Sequence, residues 1–203
     1  MAILLVRHGE TVGNAARVLQ RPDSPLNERG IRQAAQLAER LFALGFTHVL
    51  CSDLVRARMT AEPLRARVDV VIEETPLLQE RNFGDLRGMS YDEITEDPFA
   101  RDYVPPNGES ADVFHLRVAQ AFDLILERRR GLAGPLVVVT HGLLCRALVK
   151  NHTHAAATDS TSSWSVIALL QGLLAQMLST APAQVYLSYS YLNITGDATT
   201  VVK

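Results

Sequence analysis

The sequence predicts an α/β fold on three observations. Two apolar runs, residues 3–6 and 136–139, have the length and content of strands buried on both faces. Stretches with apolar residues at helical spacing lie between them. Alternation over residues 185–192 adds a strand of period two, read as an outer or antiparallel one. The first run delivers Arg7, His8 and Gly9 to the carboxyl edge of the sheet, where open α/β sheets bind ligands. The second ends in Thr140, His141 and Gly142, with a helical stretch over 143–149. Two imidazoles at one sheet edge follow, each before a residue that lets a ligand come close.

Between these strands, 12–25 is polar and irregular, with Asn14, Arg17, Gln20 and Arg21 as candidate pocket residues. Asn27 caps a helix from Glu28 with Ile31, Ala34, Ala35, Leu37, Ala38, Leu41 and Phe42 at helical spacing, and Gly45 ends it. A short strand at 48–51 leads through Ser52 and Asp53 into a helix with Leu54, Ala57, Ala61 and Leu64 on one face. Arg56 falls in its first turn, beside the positive end of the helix dipole, where a cation is unfavourable unless it shares an anion with the helix amides. A third strand is expected at 68–72. Glu80, Arg81, Phe83, Gly84 and Gly88 then form a loop folded onto something rather than a linker.

A helix is expected from Ser90, and prolines and glycines break the chain up to 108, making 82–115 the candidate lid or small subdomain. From Ser110 a long helix turns Val113, Leu116, Val118, Ala121, Phe122, Ile125 and Leu126 inward and ends in three solvated arginines at 128–130. His152 and His154 have a spacing that could hold a metal, but no carboxylate or cysteine accompanies them, so no metal site is assigned. Residues 165–170 read as a strand or a helix start. No repeat appears, and 1–203 is read as one domain.

Length and composition fit a protein that buries a core without staples: 203 residues, 47% hydrophobic and 21% charged. A net charge of −2 favours neither nucleic acid nor membrane surfaces, so attraction for anions is local. Cys51 and Cys145 sit at the edges of apolar runs and read as reduced core residues of a cytoplasmic protein. Residues 1–6 are too short for a signal-peptide core, and no stretch approaches the about 20 apolar residues of a membrane span.

His8, His141, Arg7, Arg56 and Glu80, with no metal ligands nearby, fit phosphoryl transfer to nitrogen. A neutral imidazole attacks phosphorus while guanidinium groups spread the charge on the equatorial oxygens. Glu80 then protonates the departing oxygen and later takes a proton from water. No cofactor is required.

Leu5-Val6-Arg7-His8-Gly9-Glu10-Thr11 with Asn14 resembles the signature of the histidine phosphatase superfamily, the phosphoglycerate mutase-like family. The match continues, collinear over about 3–150, through Asp23, Pro25, Leu26, Arg29 and Gly30. It runs on through Ser52, Leu54, Arg56, Ala57, Thr60 and Ala61, through Leu78, Glu80, Gly84 and Gly88, through Pro106, Gly108, Glu109, Ser110 and Arg117, and through Thr140, His141 and Gly142. The resemblance implies a three-layer α/β/α sandwich with a mostly parallel sheet and at least one antiparallel edge strand. It implies His8 as the phosphorylated nucleophile, Arg7, Arg56 and His141 as the phosphate pocket, Glu80 as proton donor and Asn14 as a phosphoryl contact. It also implies a backbone carbonyl near Gly9 holding the second nitrogen of His8. The pattern puts the pocket arginine before Ala57, hence Arg56 and not Arg58.

Gln20, Arg21, Arg81 and Gly142 complete the expected substrate contacts. Arg21 stands where many members have glycine, and would meet a carboxylate or a second phosphate or point to solvent. Leu143 replaces a small or polar residue, and the C-terminal fifth lacks the usual closing pattern. The reading is a phosphatase acting on a small phosphorylated metabolite, admitting a homodimer. The short span from Glu80 to His141 disfavours the rival, a phosphoglycerate mutase, although Arg81 is found in mutases too. The presence of Glu80 disfavours a non-catalytic binding module.

Overall fold

A computed structural model describes residues 2–66, 69–152, 165–169 and 184–188. Strand β1 (Ala2–Arg7) leads through a single turn, α1 (Val12–Ala15), to helix α2 (Glu28–Phe42). Then come β2 (His48–Ser52), α3 (Val55–Arg65) and β3 (Val71–Thr75). Helix α4 (Ala111–Arg129), β4 (Leu136–Thr140) and α5 (Gly142–His152) follow, and then β5 (Ser165–Leu169) and β6 (Gln184–Ser188). The sheet has the order β3-β2-β4-β1-β6-β5.

Alternation along the central strands divides the core in two. Ile3 and Leu5 of β1 and Leu136 and Val138 of β4 pack with Phe114, Val118, Ala121 and Ile125 of α4 and Leu144 and Leu148 of α5. Leu4, Val6, Val137 and Val139 point the other way, onto Ala38 and Leu41 of α2 and Ala57, Ala61 and Leu64 of α3. Because β1 and β4 are covered on both faces, they are apolar up to their last residues, Arg7 and Thr140, which reach the carboxyl edge. The expected three-layer sandwich follows.

Several local expectations change. Every strand pair of the sheet among the described residues is parallel, and β6 lies between β1 and β5, so the antiparallel edge strand is not seen. Alternation reports which faces a strand shows, not its direction, and direction depends on how the chain crosses back. The third strand starts at Val71 rather than 68, and Ser90 opens only one tight turn, Tyr91–Glu93, closed by its reciprocal Ser90/Glu93 cap.

In α4 the inward residue of the first turn is Phe114, while Val113 and Leu116 are exposed, and Ile31 and Phe42 of α2 are exposed as well. Of the three arginines ending α4, Arg129 is buried and donates to the Leu132 carbonyl, and Arg128 pairs with Glu73. Residues 165–169 form a strand. His154 and the stretch after 188 lie outside the described residues. Among those described, no helix is long and apolar enough to cross a membrane.

From 76 to 110 the chain has only three single tight turns, and it is held by contacts to its own backbone. At Gly84 the backbone is left-handed (φ +52°), and a Cβ there would press into the Pro106 carbonyl and lie 2.6 Å from Asn107 C and Gly108 N. Gly45 is equally left-handed (φ +65°) but faces open space. Gly45→Ala therefore isolates the dihedral cost, about 1 kcal/mol, whereas Gly84→Ala adds a backbone clash and is expected to lose about 2–3 kcal/mol. Urea unfolding midpoints of the two variants check the difference; equal losses would mean that the loop does not pack here.

Candidate active site

Register builds the centre. Arg7 of β1 lies opposite Thr140 of β4, so the next residue of each strand, His8 and His141, emerges side by side at the carboxyl edge. The His8 amide still donates to the Thr140 carbonyl (2.9 Å), and the two rings stand 5.1 Å apart, tilted by 57°. Both are almost wholly buried. The hydroxyl of Thr140 donates to the Leu78 carbonyl (2.7 Å), which ties the segment carrying Glu80 to the same strand end.

Four hydrogen bonds close a ring around His8. Its Nδ1–H donates to the Gly9 carbonyl (2.7 Å), the Gly9 amide donates to Thr60 Oγ1 (3.0 Å), and Thr60 Oγ1 donates to the Arg56 carbonyl (2.7 Å). The Arg56 Nε–H then points at His8 Nε2 (3.3 Å). With the proton fixed on Nδ1, Nε2 carries the lone pair. Thr60 and Arg56 are one turn apart on α3, so the helix period sets this spacing.

Burial is the largest influence on His8 and holds it well below its ordinary value, reinforced by Arg56 and Arg7 and opposed by the Gly9 carbonyl. His141 is also held well below its ordinary value, by burial first and then by His8, Arg56, Arg7 and Arg117. Both rings are neutral at neutral pH. His141 Nε2 lies 2.8 Å from Ser52 Oγ, whereas its buried Nδ1 has no hydrogen-bond partner among the described residues. Arg56 is buried, and that burial pushes its guanidinium down to about 10, with Glu80 opposing and Arg87 and Arg7 adding to the fall. It remains a cation at neutral pH.

The other expected residues fall into two groups. Arg7, Asn14, Gln20, Glu80 and Gly142 line one cleft of about 750 Å³ with His8 and Arg56. Glu80 Oε1 and Oε2 accept from the backbone amides of Arg81 (3.1 Å) and Leu143 (3.2 Å), and the flat backbone of Gly142 lies against the Arg7 guanidinium. Asn14 caps α1 reciprocally with Thr11, whose hydroxyl also donates to Gln20 Oε1 (2.7 Å).

Arg21 and Arg81 are placed otherwise. The Arg21 guanidinium lies over Gly88, outside the residues lining the cleft, and it is the Arg21 carbonyl that reaches the site by accepting from Arg56 Nη1 (3.1 Å). Arg81 touches the cleft, but Nε, Nη1 and Nη2 donate to the carbonyls of Glu109, Pro98 and Tyr103. Arg58 pairs with Glu74 (2.7 Å), half-exposed.

Sequence reasoning gave no role to Ser52 or Thr60, and it missed Arg87, Tyr91, Phe99 and Arg146 in the cleft wall. Arg146 had a signal, standing four residues after Gly142 on the same helix face. Arg87 had none, since irregular loops carry no period. Among the described residues no group of three or more His, Cys, Asp or Glu side chains is placed to hold a metal ion.

Comparison with known proteins identifies the family of the chain. The family model of the histidine phosphatase superfamily (branch 1) matches residues 3–169. The chain is 37% identical over 159 residues to a Yersinia pestis (strain Pestoides F) protein named "Probable phosphoglycerate mutase GpmB", covering 73% of each. A mycobacterial glucosyl-3-phosphoglycerate phosphatase superposes with TM-score 0.66 at 28% identity, over 74% of this chain and 79% of that one. The alpha-ribazole phosphatase of Shigella flexneri does so with TM-score 0.65 at 28% identity, over 73% and 78%. The chain belongs to the histidine phosphatase superfamily.

Proposed function

We propose that this chain is a metal-independent phosphatase that hydrolyses a small phosphorylated metabolite through a phosphohistidine on His8. The observation that carries the reading is a neutral, buried imidazole whose unprotonated Nε2 meets only the long contact from Arg56 Nε (3.3 Å), beside a second buried imidazole whose Nδ1 has no hydrogen-bond partner among the described residues. A phosphoryl group between the rings supplies that partner, the Ser52 hydroxyl donating to His141 Nε2 so that Nδ1–H faces a phosphoryl oxygen.

In the first step the Nε2–P bond forms as the P–O bond to the leaving group breaks, and Glu80 gives that oxygen its proton. Arg7 and Arg56 hold the equatorial oxygens. In the second step water attacks phosphorus, Glu80 takes its proton, and the N–P bond breaks to release inorganic phosphate. Fixed guanidinium groups provide the charge that a metal ion otherwise provides.

A 2,3-bisphosphoglycerate-dependent phosphoglycerate mutase is the second reading, favoured by the name of the 37%-identical relative. Hydrolysis of p-nitrophenyl phosphate is expected to persist in EDTA and to fall by at least about 10³-fold in His8→Ala, with an acid-labile phosphoryl adduct on His8 during turnover. Loss of activity in EDTA restored by a divalent ion, or activity retained in His8→Ala, overturns the proposal. Interconversion of 2- and 3-phosphoglycerate faster than phosphate release replaces it with the mutase.

The two histidines also predict how stability follows pH. Each binds a proton less readily in the fold than in the unfolded chain, whose ordinary value is 6.5. Above that value neither contributes a penalty; below it the unfolded chain binds more protons, and stability falls by up to about 1.4 kcal/mol per pH unit for each imidazole. Urea unfolding between about pH 7.5 and pH 5.5 reads the slope, expected to be shallower in His141→Asn than in the wild type. Equal slopes would place the protons elsewhere.

A further inference from the structure

Ser52 ends β2, a strand that supplies none of the groups assigned to the phosphoryl transfer. Register fixes its backbone opposite Thr75 of β3, and on the other side β2 runs parallel to β4, with Cys51 opposite Val139. Ser52 therefore stands at the carboxyl edge beside the end of β4, where His141 follows Thr140. Both side chains are wholly buried, and Ser52 Oγ lies 2.8 Å from His141 Nε2.

The second contact of that hydroxyl decides which way its proton points. The Leu54 amide donates to Ser52 Oγ (3.3 Å), closing a turn from residue i to i+2 just ahead of α3. These two are the hydrogen-bonding contacts of Oγ among the described residues. A hydroxyl has one proton and two lone pairs. The amide takes a lone pair, and His141 Nε2 is the acceptor within reach of the proton.

The converse assignment, with the imidazole proton on Nε2, leaves two buried groups unmatched. Ser52 O–H then has no acceptor, and His141 Nδ1 turns a bare lone pair to an incoming anion. Protonation of both nitrogens at neutral pH is opposed by burial first and by His8, Arg56, Arg7 and Arg117 after it. One proton remains to be placed, and a hydrogen bond to one ring nitrogen places it on the other.

We infer that Ser52 is a positioning residue whose hydroxyl, aligned by the Leu54 amide, keeps the proton of His141 on Nδ1, so that the two buried rings meet one phosphoryl group with opposite polarity, a lone pair from His8 Nε2 and an N–H from His141 Nδ1. The inference deepens the phosphohistidine reading and rests on it for the phosphoryl group, whereas the tautomer is a property of the chain alone. Both tautomers are then tied to one helix. Gly9, whose carbonyl takes the His8 proton, donates its amide to Thr60 of α3, and Leu54, which orients Ser52, is the residue from which α3 starts.

Nuclear magnetic resonance of the full chain with isotope-labelled histidine reads the protonated nitrogen, through the coupling of each ring nitrogen to the carbon-bound ring protons. The His141 signals are those missing from His141→Asn. The wild type is expected to hold this proton on Nδ1; a proton on Nε2 overturns the inference. In Ser52→Ala, with folding checked by circular dichroism, the proton is expected to spread onto Nε2 and kcat for p-nitrophenyl phosphate to fall by about tenfold or more. Ser52→Cys, close in size and a weaker donor, is expected between the two in both readings, and it carries the comparison should the alanine variant not fold.

A proton that stays on Nδ1 in the folded variants removes Ser52 from this role even where kcat falls, because a loss of packing alone lowers the rate without moving the tautomer. A kcat unchanged in the same variants removes it as well. Turnover by a wild type with the proton on Nε2 overturns this inference alone. A proton on Nδ1 that moves when Ser52 is replaced, without any turnover of p-nitrophenyl phosphate, overturns the phosphatase reading alone.

Discussion

The site depends on the bond from His8 Nδ1–H to the carbonyl of the next residue, Gly9, closed into a ring through Thr60 and Arg56. An imidazole at a strand end can adopt two tautomers, and only one of them points a lone pair into the cleft. The carbonyl at 2.7 Å takes the Nδ1 proton and the Arg56 Nε–H at 3.3 Å faces Nε2, so both select the same tautomer. Because the ring of bonds runs through two residues of α3, the imidazole proposed as nucleophile and the Arg56 guanidinium are tied to the same helix. Parallel pairing of β1 with β4 then sets His141 beside it, so the separation of the two rings follows from register rather than from loop geometry.

A second network does for Glu80 what this ring does for His8. Arg117 of α4 donates to the carbonyls of Leu77, Gln79 and Glu80 and forms a two-point pair with Glu109, whose carboxylate also accepts from the Asn82 amide. Arg81 adds three more carbonyls from the same irregular region. A loop without regular structure has backbone acceptors that water cannot reach, and a guanidinium with donors in a fixed fork satisfies several at once. These arginines, Arg81 buried and Arg117 partly so, hold the loop in shape, which explains how Arg81 can border the cleft while all three of its guanidinium nitrogens face the protein.

What the sequence made legible divides along that line. Both central strands, the caps at Asn27 and Ser110 and the inward face of α3 were readable, because burial on both faces, capping and helical period each leave a pattern along the chain. Arg7, His8, Arg56 and His141 were readable because sheet edges and helix starts are where patterns end, and Glu80 through the resemblance; Arg7, His8, Arg56 and Glu80 line one cleft, with the His141 ring 5.1 Å from that of His8. Strand direction was not readable, since β6 alternates equally well in either sense. Nor were the partners of Arg21 and Arg81: both stand in irregular chain, where neighbours are fixed by folding of 82–110 onto the sheet edge and not by any period. The first turn of α4 misled for a different reason, as Val113, Phe114 and Leu116 are all apolar and only packing selects Phe114.

The electrostatics of the cleft follow from the same construction. Burial that keeps His8 and His141 neutral also depresses Arg56 to about 10, so the site holds cations where their hydration is poor. That arrangement is unfavourable on its own and is held by bonds elsewhere: Arg56 to the Arg21 carbonyl, Thr60 to the Arg56 carbonyl, Leu143 and Arg81 amides to Glu80. An anion in the cleft would offset that repulsion. Groups already fixed by such bonds are in the condition under which dipoles and guanidinium groups stabilise developing charge more effectively than water does. A chain with a small net negative charge can therefore present a strongly positive cleft, because attraction for an anion is set by the few groups around it and by the medium between them, not by the sum over the surface.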